Sequence, residues 1–470
     1  MRRLLAAIGL SVFLATGLVW TQTASTIVVL HTNDMHGQIL PRDGIGGLAE
    51  MATLMRRERA DFVLDGGDMF TGTMISDEFL GKPLIEILNR LNYRAVALGN
   101  HEFDYGLQEL GKRAREANFP ILSANVVTGI EEIKPFTVLN VKGVRIGVIG
   151  LTVETLREVS HPKNLTTVTV KKVVDAMQET LPKVRPLSDF VILVTHITFD
   201  EQIRVAKAFP EVKLIVTGHP HIPRSTQVGS TLIVETGNST RFFGKVEMRF
   251  SGKTPESMTS QMIPVRDVEA DPEIKAIIDP YHHTVMDRAA ERLGEAEATL
   301  EKSEIQESAL NNMVADAIRE YSGSQIAIQN VGGIRAPILK GPITYGDVFE
   351  ILPFQNTLVT MTLSGAQLKQ MLGRRVVGVS GLKVSWDITR TSPNRLVSAT
   401  LFDGTPLVDA AHYSVAISDF LAVGGDGLVE FMLGAQQRDT GIMLREIVRT
   451  YLRKHHTLSA KLDGRVTIKR

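Results

Sequence analysis

The stretch "VALGNHEFDYG", residues 96–106, decides the reading of this chain. An apolar strand at 95–98 runs directly into Gly, Asn, His, Glu and Asp. Strands usually end in turn formers; this one ends in a cluster able to hold a cation and move a proton. Four other apolar runs end the same way. "TIVVLHTNDMHG" (26–37) sets Asp34 and His36 just past a strand, and "FVLDGGDMFTG" (62–72) sets Asp68 past the next. "DFVILVTHITFD" (189–200) supplies His196, and "VKLIVTGHPHIP" (212–223) supplies His219 and His221. In extended chain, residues i and i+2 point to one side, so Asp34/His36 and His219/His221 can each chelate as a pair. A lone His after a strand is usually structural, and Asp68 alone could be a helix cap. Five such endings in order point instead to a ligand crevice at the carboxyl ends of an α/β sheet. Gly37, Gly66, Gly67, Gly99 and Gly218 fit the same reading, since the backbone must turn sharply there.

The rest of the chain narrows the chemistry. It has no cysteine, which excludes disulfides, thiolate ligands and cysteine catalysis, so a metal site must use His, Asp, Glu and Asn. Basic and acidic residues balance at 52 each, so no global field favours a nucleic-acid polymer. With 470 residues, 43% of them hydrophobic, the chain can bury two or three cores. Arg2 and Arg3 precede an apolar run at 4–20, followed by small residues with Ala24 a possible cleavage point. Residues 1–24 therefore read as an export signal, or as an uncleaved N-terminal anchor. The expected location is periplasmic or extracellular, with no other membrane association.

Short apolar runs at 27–30, 62–64, 95–98, 145–149, 190–194, 214–216 and 232–234 alternate with helical periodicity at 45–57 and 80–91. This is the α/β layered pattern. The polar stretch 251–261 reads as a domain boundary, with the first domain ending near 255. Residues 256–300 read as a linker helix interrupted at Pro280. A second, smaller α+β domain follows at 301–470, with a helix at 308–321 and strands at 326–329, 358–363, 382–386, 413–418 and 465–469. Within it, "AIQNVGGIRAPI" (327–338) offers Arg335 for a phosphate or carboxylate. "ISDFLAVGGDGL" (417–428) presents Phe420 and Asp426 around a glycine-rich turn.

The order Asp-x-His, Gly-Asp, Gly-Asn-His-Glu, His, Gly-His-x-His is similar to that of the calcineurin-like metallophosphoesterases. "GNHEFDYG" with the second domain resembles the 5′-nucleotidase family. The resemblance implies a four-layer α/β/β/α catalytic sandwich and two divalent ions, one held by Asp34, His36, Asp68 and His221, the other by Asp68, Asn100, His196 and His219. Mixed imidazole and oxygen donors suit Zn, Mn, Co or Fe better than Mg alone. Such a pair would lower the pKa of a bridging water for in-line attack on phosphorus. His101 would protonate the leaving alkoxide, with Asp104 fixing its tautomer; Glu102 is left as support. Phe420 would stack on the base, Asp426 would contact the nucleoside, and Arg374 or Arg375 would reach the phosphate. The substrate would be a nucleoside 5′-monophosphate, with UDP-sugars and nucleotide di- or triphosphates as further candidates. A 2′,3′-cyclic-nucleotide phosphodiesterase or a related phospho- or sulfur-ester hydrolase is the alternative.

Two departures stand out. In "MLGRRVVGVSGLKV" (371–384), Val376 falls near the place of a second base-stacking Phe, so one aromatic wall is expected to be missing. "PFQN" (353–356) has Gln where the family often has Gly.

Overall fold

The computed structural model describes residues 24–470; the expected export signal lies outside the described residues up to position 23. The first domain is built on two sheets. One has seven strands in the order Thr254–Pro264, Phe242–Ser251, Ala24–Thr32, Phe62–Asp65, Tyr93–Ala97, Ile121–Leu122, Ile133–Lys134. The other has six: Arg224–Val228, Thr231–Glu235, Leu214–Gly218, Phe190–His196, Val144–Thr152, Phe136–Val141. The central strands of both are parallel.

Period-two alternation divides the side chains between layers. Ile27, Val29, Phe62, Leu64, Ile192, Val194, Leu214 and Val216 fill the space between the sheets. Their neighbours Leu193, Ile215 and Ile233 point outward, onto a core shared with the helices Val173–Val184 and Phe199–Ala208. Leu30, Val63 and Val96 point to the opposite outer face, against helices including Leu48–Arg57 and Lys82–Leu88. The result is the expected α/β/β/α sandwich. Its strands are buried on both sides, which is why they read as unbroken apolar runs.

The boundary expected at 251–261 is instead a hairpin. Phe242–Ser251 turns tightly at Gly252 (φ 60°) and returns as Thr254–Pro264 at the sheet edge. That strand looks like a linker in the sequence because an edge strand is half solvated and carries polar residues. The linker helix spans Pro272–Ala289, a shorter range than 256–300, and begins on an Asp271 cap that accepts from the N–H groups of Glu273 and Ile274. It runs through Pro280 without a break. Pro280 and Ala276, whose carbonyl loses its intrahelical partner, are both exposed, so water can satisfy that carbonyl.

The second domain begins by Arg292–Ala296, which pairs with Gly341–Thr344 and Thr457–Leu458. Its main sheet runs Val377–Ser380, Ile326–Asn330, His412–Ser418, Thr357–Ser364, Ala435–Met443, and a three-stranded sheet joins Leu396–Leu401, Leu382–Asp387 and Val466–Lys469. Among the described residues no helix is long and apolar enough to cross a membrane.

Candidate active site

Parallel register gathers the strand ends. Thr32 pairs with Asp65, Asp65 with Val96, and His196 with Gly218. The loops after these strands therefore meet along one rim of the sandwich. Five of the residues on them sit in the sparsely populated left-handed region: Asp34 (φ 48°), His36 (47°), Asp68 (58°), His219 (92°) and His221 (60°). Such strain collects where structure must aim side chains. Gly99 is required by close approach, since a Cβ there would lie 2.2 Å from Asp68 Oδ1.

The seven expected ligand side chains converge. Asp34, Asp68 and His196 are fully buried, at 0%, 1% and 0% exposure. His196 Nε2 lies 2.9 Å from Asp68 Oδ2, and His221 Nε2 lies 3.0 Å from Asp34 Oδ1. His36 and His221 bring their Nε2 atoms within 3.0 Å of each other, and His219 Nδ1 is 3.1 Å from Asn100 Oδ1. Asp34, His36 and His221 form one group whose ligand atoms all lie within 4.8 Å of one another; Asp34, Asp68 and His196 form a second.

The donor set fits a cation. His196 Nδ1 faces the Gly66 carbonyl at 2.8 Å and His36 Nδ1 faces that of Thr71 at 3.2 Å. With the proton on Nδ1 in each ring, Nε2 presents a lone pair toward the carboxylates, the orientation that carbonyl partners impose on metal-binding imidazoles. His196 Nε2 is buried and makes no aligned hydrogen bond. Burial pulls the His196 imidazolium down, but Asp68 and Asp34 outweigh it and push it up to about 10. The pocket thus demands positive charge, and a divalent cation meets that demand with the rings deprotonated.

Supporting groups hold this arrangement. Asp34 accepts from the His219 N–H and from Asn33 Nδ2, and Asn33 Oδ1 accepts from Thr236. Glu102 is fully buried and accepts three backbone N–H groups: Asp68 (3.0 Å), Met69 (2.7 Å) and Gly99 (2.7 Å). His101 Nδ1 bonds Asp104 Oδ2 at 2.8 Å, and its Nε2 lies 3.9 Å from Asp68 Oδ2. Burial opposes its charge, yet Asp104 and Asp68 raise its pKa overall.

The second domain closes over this rim. A cavity of about 570 Å³ is lined on one side by Asp68, Asn100, His101 and His219, and on the other by Arg335, Phe420 and Asp426. Arg335 Nη2 reaches 3.4 Å from His36 Nε2. Asp426, itself at φ 57°, accepts from Asn330 Nδ2 at 2.7 Å. Arg375 bonds the Asp426 carbonyl at 3.3 Å, outside the cavity lining. Arg374 is drawn away altogether: its Nε bonds both oxygens of Glu430 at 2.7 and 2.9 Å. Val376 is buried in the second-domain core. Sequence reasoning missed Phe354, which stacks on His101, and the first-domain loop carrying His161, Lys163 and Asn164, which forms another cavity wall. In "PFQN" it is the Gln that stands out in the sequence; an aromatic in a short loop carries no periodic signal.

Residues 27–223 match the model of the calcineurin-like phosphoesterases, and residues 285–434 that of the 5′-nucleotidase C-terminal domain. A 5′-nucleotidase precursor from Thermus thermophilus is 30% identical, with a TM-score of 0.89 over 95% of this chain and all of that one. The chain belongs to the 5′-nucleotidase family. A snake venom 5′-nucleotidase of Crotalus adamanteus is 27% identical over 522 aligned positions, spanning 94% of this chain and 88% of that protein. A sulfate thiohydrolase of Thermus thermophilus shares the fold at 18% identity, with a TM-score of 0.82 over 94% of this chain and 96% of that one. As a member of the 5′-nucleotidase family the protein is a hydrolase of phosphoric esters, and its calcineurin-like domain binds divalent metal.

Proposed function

We propose that the protein hydrolyses nucleoside 5′-monophosphates to nucleoside and phosphate, using two divalent ions, outside the cytoplasm. The observation that carries this reading is the shared cavity: Arg335, Phe420 and Asp426 of one domain face Asp68, Asn100 and His101 of the other across about 570 Å³, the size of a small-ligand site.

Asp34, His36, Asp68 and His221 would hold one ion, and Asp68, Asn100, His196 and His219 the other, with Asp68 shared. Bound there, the ions would activate water and neutralise charge on the phosphoryl oxygens. Zn, Mn, Co or Fe suits these donors. The remaining work belongs to side chains. Arg335 draws in the phosphate with a fixed guanidinium fork. Phe420 stacks on the base, which any base tolerates, and Asp426 contacts the nucleoside. As the bond from phosphorus to the 5′-oxygen breaks, His101 passes its Nε2 proton to that oxygen, while Asp104 keeps the other nitrogen protonated and the ring in place. Location outside the cytoplasm rests on the signal-like pattern of residues 1–24.

Phosphate release from AMP, UMP, UDP-glucose, 2′,3′-cyclic AMP and p-nitrophenyl phosphate tests the assignment. The 5′-monophosphates should have the highest kcat/KM. Preference for the cyclic ester would replace the nucleotidase reading with that of a phosphodiesterase.

A further inference from the structure

Phe354 belongs to the second domain, in the loop between the helix Tyr345–Ile351 and the strand Thr357–Ser364. Its ring lies nearly parallel to that of His101 in the first domain, with centroids 5.2 Å apart and planes at 15°. His36 meets the same imidazole edge-on, with centroids 5.3 Å apart at 68°. With Nδ1 tied to Asp104, the imidazole is hemmed in on several sides while its Nε2 looks toward Asp68 and the cavity.

The loop that delivers Phe354 is anchored at both ends. Arg445 Nη1 bonds the Pro353 carbonyl at 3.1 Å, and the Leu444 N–H bonds that of Asn356 at 3.0 Å. The Thr357 N–H bonds Asp419 Oδ1 at 3.1 Å. Arg445 is itself buried and packs its guanidinium on Phe349, 4.1 Å from the ring centroid. Arg335 crosses the other side of this assembly, its guanidinium carbon 5.8 Å from the Phe354 centroid. An aromatic ring held this firmly against an imidazole keeps water off one face and blocks rotation out of the cavity.

We infer that Phe354 is a positioning residue for proton transfer: the second domain caps the proton donor of the first, completing the hold that Asp104 and His36 already have on the ring when the domains meet as they do here. The inference rests on the reading of His101 as that donor. The step it serves is balanced simply. Water adds to phosphorus and gives up a proton, the bond to the 5′-oxygen breaks, and that oxygen takes the His101 Nε2 proton, which solvent then replaces. Phe354 also lines the cavity, but the role inferred for it runs through the imidazole it stacks on.

The test compares AMP with its analogue carrying sulfur in place of the bridging 5′-oxygen. Base, ribose and phosphate are unchanged, so binding and domain closure are matched, but a thiolate leaves without needing a proton. In the metal-loaded enzyme, His101→Ala should lower kcat for AMP roughly 100-fold or more while largely sparing the sulfur analogue. Phe354→Ala should show the same selectivity at roughly 10-fold, with KM nearly unchanged, and Phe354→Tyr should restore kcat. Phe354→Leu, which keeps apolar volume but no flat ring, guards against misfolding of the Ala variant and should behave like it. If His101→Ala is selective while Phe354→Ala and Phe354→Leu slow both substrates equally, or neither, the cap is overturned and the proton donor stands. If His101→Ala slows both substrates alike, the donor reading fails and takes the cap with it.

Discussion

The guanidinium of Arg335, from the second domain, stands 3.4 Å from His36 Nε2 in the first. Its hydrogen bond to the Gly332 carbonyl is a long one, at 3.4 Å. Burial lowers its pKa, and the carboxylates of Asp68 and Asp34 oppose that. A half-buried guanidinium without a direct carboxylate partner, aimed at the rim proposed to hold metal, is poised for an anion.

Arg335→Ala should therefore cut kcat/KM for AMP by about 10–100-fold, the value of about 1.5–3 kcal/mol for a hydrogen bond to a charged group. Arg335→Lys should recover only part of it, because an ammonium lacks the fork. Arg374→Ala is the contrast: it strips the partner from Glu430, which is 1% exposed, and should lower stability while leaving KM for AMP unchanged. Steady-state kinetics with a denaturation midpoint separates the two.

Glu102 ties the Asp68 loop to the Gly99 turn through three N–H bonds to one carboxylate. Glu102→Gln turns an amide NH2 toward backbone N–H donors, costing about 2–3 kcal/mol, and frees the backbone that aims Asp68. Metal affinity should fall about 10–100-fold. Metal titration followed by thermal melting reads this without any substrate; unchanged affinity would make Glu102 a bystander.

Much of this site is legible in the chain because its signals are local. A buried parallel strand is an apolar run, and the residues just past it must sit at the rim, so "GNHEFDYG" and its four counterparts mark rim positions from the sequence alone. Other features depend on tertiary context. The strand Thr254–Pro264 is polar because it is an edge, and it resembles a linker for that reason. Pro280 sits within a helix because its face is exposed. Arg374 and Arg375 are chain neighbours, and only the fold sends one to Glu430 and the other to Asp426. Phe354 meets His101 across 253 positions of sequence, a pairing no spacing rule reveals.

The base-stacking role given to Phe420 can be probed at two positions. Phe420 lines the cavity and packs over Gly425, where a Cβ would lie 2.5 Å from the ring. Phe420→Ala should raise KM for AMP and UMP alike, by the equivalent of about 1–3 kcal/mol of stacking, and leave p-nitrophenyl phosphate unaffected. Val376 is 6% exposed within the core of the second domain. Val376→Phe should therefore destabilise the protein by about 1–3 kcal/mol through overpacking without lowering KM. A lower KM would mean that the side chain reaches the cavity.

Asp77 supplies a pH test away from the proposed metal-binding cluster. It is 6% exposed; Oδ1 takes the Tyr105 hydroxyl, and Oδ2 is buried with no hydrogen-bond partner. Burial raises its pKa to about 7, against the Tyr105 hydrogen bond and the Arg445 charge. The folded-state pKa lies above the unfolded one, near 3.9, so between them the folded state binds more protons and stability falls as pH rises. Asp77→Asn removes that loss. Its melting temperature should match the parent near pH 4 and exceed it by a growing margin up to about pH 7, then level off. A difference constant with pH would contradict this.

The most direct test is phosphate release from AMP by metal-stripped protein, with Mn, Zn, Co or Fe added back, beside Asp68→Asn. Asp68 is the one carboxylate that both proposed metal positions share, and it is fully buried between His196 and His101. Activity should vanish on stripping and return with metal. Asp68→Asn should lose on the order of 10²–10³ or more in kcat, the scale for removing one preorganised stabiliser of a transition state. Turnover of AMP that survives both metal removal and Asp68→Asn would contradict a metal-dependent nucleotidase at this site.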